Sequence, residues 1–202
     1  MKKAFALIMG LLIFPLSSQA VDFKEGEHYD VVKQTVTATP EVKEFFSFYC
    51  SHCFKFEPLM SDLKQNLPEE VAIKRVHVNF LGKQMGPELT QAYAAAEILQ
   101  VEDKISSLIF DQIHTQGKNI NGREGVIALF EKAGISKQEA AGALASFPVS
   151  GLVSQMKRDT ETFAIRGVPT LIVNGKYKVN TGSISSRTEF VELVTFLTQK
   201  KE

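Results

Sequence analysis

The sequence predicts an α/β fold in which a sheet is split by an all-helical insertion. Three observations predict it. Runs rich in β-branched and aromatic residues fall at 42–49, 71–80 and 168–180. Between 81 and 165 the pattern is helical, with little strand signal. The only two cysteines, Cys50 and Cys53, stand where the first of these strands gives way to a helix.

The N-terminus is set apart from the fold. Met1-Lys2-Lys3 is basic, Ala4 to Pro15 is an apolar stretch broken only by Gly10, and Ser18-Gln19-Ala20 is a small-residue ending. Residues 1–20 therefore read as a secretory signal peptide, too short for a comfortable membrane span. Cleavage after Ala20 leaves 182 of the 202 residues, a length that suits one domain carrying an inserted subdomain. No other run is apolar enough to cross a bilayer, so a soluble exported protein is expected, in a compartment that permits disulfides.

Val42 to Tyr49 places apolar side chains on both faces, as an interior strand does. A weaker strand precedes it near Tyr29 to Val36. From Ser51 the pattern is helical through Phe54, Leu59, Leu63 and Leu67, with Pro58 predicting a kink and Pro68 an end. Val71 to Phe80 reads as a second interior strand. In the insertion, Gly86-Pro87 opens one helix, Glu102 to about His114 forms another, and Arg123 to Ala133 a third, capped by Gly134. Ser136 to Glu139 is a capping box for a fourth, and a longer fifth runs from Val149 to Ile165, with Gly167 closing the block. Strand returns at Val168 to Val173. Asn174-Gly175 is a two-residue hairpin signal before Lys176 to Asn180. A capping box at Ser186 to Glu189 starts the last helix, which buries Phe190, Leu193, Val194 and Leu197. The main α/β domain is thus expected over 21–80 and 166–202, and the helical insertion over 81–165.

Charge narrows the partners. The chain has 23 basic and 23 acidic residues; without Lys2 and Lys3 the mature chain has 21 against 23, or −2. No basic stripe is present, which argues against nucleic acid.

The chemistry concentrates in Cys50-Ser51-His52-Cys53. A disulfide across two intervening residues closes a tiny loop and adds little stability in the chain-entropy model, so the pair reads as chemistry rather than a fastener. Zinc needs four ligands and no second cysteine pair exists, so no metal is expected, nor any other cofactor. Cys50, at a helix N-terminus, faces unpaired backbone N–H groups and the positive end of the helix dipole, both of which favour thiolate. His52 offers a cationic or N–H contact. Cys53, one turn in and more buried, suits the resolving role. A stabilised Cys50 thiolate stabilises the dithiol form and makes the disulfide form an oxidant. One unit of thiolate pKa is about 1.4 kcal/mol, or roughly 30 mV for a two-electron couple. Glu44 is an acid in an apolar strand, where burial raises a carboxyl pKa and makes it a possible proton acceptor. His77 reads as a satisfied core histidine, His28 and His114 as surface residues without a constellation. Phe56 reads as core, and Phe54 as exposed and able to bind apolar, unfolded chains.

Several segments carry a resemblance: Glu44-Phe45-Phe46-Ser47-Phe48-Tyr49 with the cysteine motif, His77-Val78-Asn79-Phe80, Val101-Glu102-Asp103-Lys104 and Arg166-Gly167-Val168-Pro169. Together they resemble the thioredoxin superfamily and, within it, the DsbA family of periplasmic thiol oxidases, over the whole mature chain. The resemblance implies a thioredoxin-like fold with a helical insertion. It implies a redox-active Cys50–Cys53 disulfide donated to reduced, unfolded exported proteins, and reoxidation by a quinone-linked membrane partner of the DsbB kind. It implies a cis proline at Pro169, which faces the disulfide and, with Val168, binds the substrate chain; the sequence alone says only that Pro169 begins a strand. It makes Glu44 a proton relay beneath Cys53, with Arg75 as the neighbouring base; a purely structural Glu44–Arg75 pair is the alternative. Ser51 departs from the family's usual Pro-His dipeptide, which leaves the mechanism and puts the redox potential in question. A periplasmic monomer is expected. The rivals are a reductase or isomerase on the same fold, a non-catalytic peptide-binding chaperone, and a glutathione-transferase-like relative, which would lack the paired thiol.

Overall fold

The computed structural model describes residues 22–200; the leader predicted at 1–20 lies outside them. A five-stranded sheet is made by β1 (Tyr29–Val31), β2 (Glu41–Phe46), β3 (Ala72–His77), β4 (Thr170–Val173) and β5 (Tyr177–Val179), in spatial order β1-β5-β4-β2-β3. β2 and β3 are parallel and the other pairings antiparallel. The crossover between β2 and β3 is α1 (Ser51–Asn66). Between β3 and β4 come α2 (Met85–Ile98), α3 (Glu102–Phe110), α4 (Gly122–Lys132), α5 (Lys137–Leu144) and α6 (Phe147–Thr162); α7 (Arg187–Gln199) follows β5. No helix among the described residues is long and apolar enough to cross a membrane.

The sheet is covered on both faces, which explains why β2 carries apolar residues on each. Val42, Leu171 and Val173 pack with Phe56, Met60 and Leu63 of α1 and with Phe190 and Leu193 of α7. On the opposite face Phe45 meets Phe163, at the end of α6, with ring centroids 5.7 Å apart, and Lys43 reaches Asp159 at 3.0 Å. A second apolar core runs without a break from Phe45, Phe46, Val76 and Ile172 of the sheet into the helical insertion.

Asn174 pins the hairpin to both neighbours. Its Oδ1 accepts the Glu41 N–H at 3.1 Å, and its Nδ2 donates to the last carbonyls of α7, Leu197 and Thr198. Asn174 and Gly175 both take positive φ, 50° and 66°, as the Asn-Gly signal requires. The register places Val173 opposite Tyr177, so three residues rather than two separate the paired strands.

Other boundaries moved for identifiable reasons. β3 is an edge strand, not an interior one, because the chain leaves the sheet after His77 and re-enters at β4 on the other side of β2; Phe80 is out of the sheet and exposed. The N-terminal strand is only three residues long and pairs at the opposite edge with β5. α1 is one continuous helix with Pro58 inside it. The helix predicted to His114 is α-helical only to Phe110 and continues as a π turn over Asp111–Thr115. α6 starts two residues before the predicted Val149, because Ser146 caps it and Pro148 is tolerated in its first turn. It ends through Ala164 at φ 48°, not Gly167; the Ala164 and Ile165 N–H groups close back on Glu161 and Thr160. Gly134 does cap α4 as predicted, at φ 92°, with the paired Gly134-to-Glu131 and Ile135-to-Phe130 bonds of a Schellman motif.

Candidate active site

The redox motif follows the end of β2, an interior strand of the sheet paired with β3 and β4. Ser47 turns the chain: its carbonyl accepts the Cys50 N–H at 3.0 Å and its Oγ the Tyr49 N–H at 3.3 Å. Cys50 is then the N-cap of α1, with φ −94° and ψ 110°, and its Sγ takes the place a capping oxygen usually fills, accepting the Cys53 N–H at 3.1 Å. Cys50 is 7% exposed and Cys53, one turn in, is fully buried, in the order the sequence implied. Both are thiols in this structure.

Their surroundings separate them. The Cys50 thiol is lowered to about 7, first by its hydrogen bond with the Cys53 thiol and then by the N–H groups of Cys53 and His52; burial and the Glu44 charge oppose this. Cys53 is pushed far above the usual thiol range by Cys50 and by burial, with the Glu44 charge adding to the rise. The pair titrates as a unit, and the first proton leaves from Cys50. The neutral Cys50 thiol also donates to the Val168 carbonyl at 3.3 Å. The Val168–Pro169 bond is cis, and both residues are half-buried beside the sulfur. The cis bond occurs at the proline for which the resemblance implied one. The His52 ring is exposed and makes no hydrogen bond among the described residues; what His52 gives Cys50 is its backbone N–H.

Beneath the motif lies a charged pocket. Glu44 is fully buried, paired in register with Arg75 on β3, and accepts from Arg75 Nε at 2.6 Å. Its Oε1 has no partner among the described residues. Burial raises its pKa, Arg75 opposes the rise, and the charge of Glu57 adds to it. Arg75 also binds Glu57 of α1 through Nη2 and lies over the Phe46 ring, 4.2 Å from its centroid. Sequence reading missed Glu57. Its signal was present: it follows Cys53 by four residues in a helix, so the two share a face.

His77 is the core histidine expected. It is raised on β3 into the turn, where Nε2 accepts the Phe48 N–H at 3.1 Å and Nδ1 meets Thr90 Oγ1 at 2.8 Å; burial and Arg75 lower its pKa to about 3. The other two histidines correct the surface reading. His28 is buried, its Nδ1 accepting from the Lys24 N–H, because the chain turns at 24–28 and brings the Phe23 ring against it. His114 is half-buried and stacks on Phe54 with centroids 5.2 Å apart and planes 11° from parallel. Phe54 is accordingly half-buried rather than fully exposed. A cleft of about 350 Å³ between α1, β3, α2 and α3 is lined by Glu57, Arg75, Tyr93 and Glu97 and includes neither cysteine. Cys50, the less buried of the two sulfurs, lies beside Val168, while Cys53 is covered.

Comparison with known proteins agrees with this geometry. A family model described as DSBA-like thioredoxin domain matches residues 41–192. The thiol:disulfide interchange protein DsbA of Pectobacterium carotovorum subsp. carotovorum is 38% identical over 210 residues, and that of Escherichia coli strain K12 is 34% identical; each alignment covers 100% of both chains. The crystal structure of the disulfide oxidoreductase DsbA from Proteus mirabilis superposes with a TM-score of 0.81 at 37% identity, covering 89% of this chain and 98% of that one. A complex of Proteus mirabilis DsbA with a non-covalently bound peptide, PWATCDS, is 36% identical with a TM-score of 0.80, over 89% of this chain and 100% of that one. The chain thus belongs to the DSBA-like thioredoxin domain family, with a thioredoxin-like fold interrupted by a helical insertion.

Proposed function

We propose that this protein is a thiol:disulfide oxidoreductase that donates a Cys50–Cys53 disulfide to proteins folding outside the cytosol. The observation that carries the reading is the asymmetry of the two sulfurs: Cys50 is lowered to about 7 at the cap of α1, while Cys53 is raised by burial and by its neighbour. In the oxidised form a substrate thiolate attacks Cys50 Sγ; the Cys50–Cys53 bond breaks and a mixed disulfide forms. Cys53 leaves as a thiolate and takes a proton. A second substrate thiolate then attacks the substrate sulfur, Cys50 leaves as a stabilised thiolate, and the substrate departs with one new disulfide. Two electrons have passed to the protein. The buried Glu44, held by Arg75 and carrying an unpartnered oxygen, is suited to move the Cys53 proton. Val168, Pro169 and the half-buried Phe54 line the surface on which the chain docks, and the exposed His52 ring borders it; the peptide seen on Proteus mirabilis DsbA supports such a surface.

The reduced protein needs a reoxidant, and a quinone-linked membrane oxidase of the DsbB kind fits. Residues 1–20 and the bacterial relatives favour the periplasm, with the chain acting as a monomer. The continuous core joining sheet and helices is compatible with a thioredoxin-like domain over 21–80 and 166–202 and an insertion over 81–165. Equilibration with glutathione buffers tests the reading. An oxidase holds its dithiol form stable; a potential near that of thioredoxin would instead identify a reductase.

A further inference from the structure

Phe48 is fully buried two residues before Cys50, and both polar groups of its backbone are bound by imidazoles. Its N–H donates to His77 Nε2 at 3.1 Å, so the His77 proton sits on Nδ1 and is donated to Thr90 Oγ1, which in turn donates to the Gly86 carbonyl. Its carbonyl lies 2.8 Å from His114 Nε2. A carbonyl only accepts, so His114 carries a proton on Nε2. The two histidines come from different parts of the chain: His77 from the sheet, His114 from the π turn that ends α3 in the helical insertion. π turns widen a helix locally and shift the residues they carry, and they are frequent at functional sites.

His114 also reaches the other flank of the motif. Its ring stacks on Phe54, the residue directly after Cys53, and Phe110 closes the same cluster at 5.9 Å from His114. One side chain of the insertion therefore touches the peptide before Cys50 and the ring after Cys53. The N–H groups that hold Cys50 Sγ belong to His52 and Cys53, between these two contacts.

We infer that His114 is a positioning residue for the redox reaction: by donating Nε2–H to the Phe48 carbonyl and stacking on Phe54, it fixes the Cys50 cap and so tunes the stability of the thiolate. The insertion then acts on the chemistry and not only on the shape of the surface. This rests on the thiol-exchange reading, and the test separates the two. His114→Leu keeps bulk and removes the donor; His114→Gln keeps a side-chain N–H. With glutathione, the leucine variant should shift roughly tenfold toward the disulfide, about 30 mV toward a weaker oxidant. Its Cys50 titration, followed by thiolate absorbance, should rise in parallel, and the glutamine variant should stay within about threefold of the unmodified protein. An unchanged potential in the leucine variant, or an equal shift in both, overturns the inference. Nitrogen NMR of the unmodified protein gives a second test that needs no variant: at neutral pH His114 should carry its proton on Nε2, and a ring protonated only on Nδ1 overturns the inference. A reductase-like potential in the unmodified protein would sink the oxidase reading instead, without touching the difference between the variants.

Discussion

The two sides of the redox turn are built from opposite materials. Toward the surface, Cys50 is held by the Cys53 thiol, by two N–H groups of α1 and by the Val168 carbonyl, with no charged side chain bonded to it. Toward the interior, Cys53 is closed in above an alternating charged stack of Glu44, Arg75 and Glu57. Backbone dipoles stabilise an anion at a fixed place and release no proton themselves. A buried carboxyl with a raised pKa does the reverse: it stabilises charge poorly and holds a proton more readily than a free carboxyl does. In the proposed reaction one side serves the leaving group and the other the movement of a proton.

The largest effect expected is the one that abolishes this division. Cys50→Ser should eliminate oxidation of a reduced model protein altogether. Cys53→Ser should still accept attack when activated as a mixed disulfide at Cys50, and should retain substrates covalently, visible as complexes on non-reducing gels. Multiple turnover by Cys53→Ser would show that the interior sulfur is dispensable and break the comparison. Next comes the interior stack. Arg75→Met leaves Glu44 buried without its counter-charge and should cost about 3–5 kcal/mol at neutral pH in urea unfolding. The cost should shrink in acid, where Glu44 is protonated. A loss below about 1 kcal/mol would place the pair among ordinary surface salt bridges.

Glu44→Gln removes the proton site while keeping the shape. Oxidation rates should fall by up to about 10²-fold, the lower end of general acid–base contributions. Stability should respond in the opposite sense. The folded-state pKa of Glu44 lies above the model value of 4.5, so the native state holds its proton more tightly than the unfolded chain. Its contribution to stability is therefore greatest below 4.5 and declines as pH rises toward the folded value. The glutamine variant should lack that decline. Cys50 has the other sign. Its folded pKa of about 7 lies below the model value of 9.0, so it stabilises the dithiol form fully above 9.0, and this is lost as pH falls through 7. Thermal unfolding of the dithiol and disulfide forms across pH 5 to 11, an interval of about two units on either side of the two values, should show their difference widening upward.

How much of this was legible depends on how far apart in the chain the partners lie. The β2–motif–α1 junction was readable because strand pattern, cysteine spacing and helix start are local. The buried acid was readable because Glu44 interrupts an apolar strand. Arg75 and the cis Pro169 came from resemblance, since their meaning lies in pairing across β3 and β4. Glu57 had a local signal, four residues from Cys53, but its role depends on Arg75 arriving from another strand. His114 had none: a π turn between residues 111 and 115 decides where its ring goes, and side-chain periodicity at 3.6 residues does not reveal that turn. The edge position of β3 was hidden for a similar reason, since burial by α6 gives an edge strand some of the apolar character of an interior one.

The smallest effect concerns Ser51, where the chain departs from the dipeptide its family resemblance led one to expect. Ser51 is the first residue of α1, and its side chain is exposed. The donors that lower Cys50 are the N–H groups of His52 and Cys53 together with the Cys53 thiol; the Ser51 N–H is not among them. Proline at the first helical position removes an N–H that has no intrahelical partner and fixes a φ the helix already wants. Ser51→Pro should therefore leave the Cys50 titration nearly in place and move the glutathione equilibrium by less than about threefold, while stiffening the unfolded chain enough to add about 0.4–1 kcal/mol of stability. A tenfold or larger shift would mean that the surface side of the turn is tuned by the rigidity of residue 51, not by the amides behind it. The division between backbone above and charge below would then need a third component.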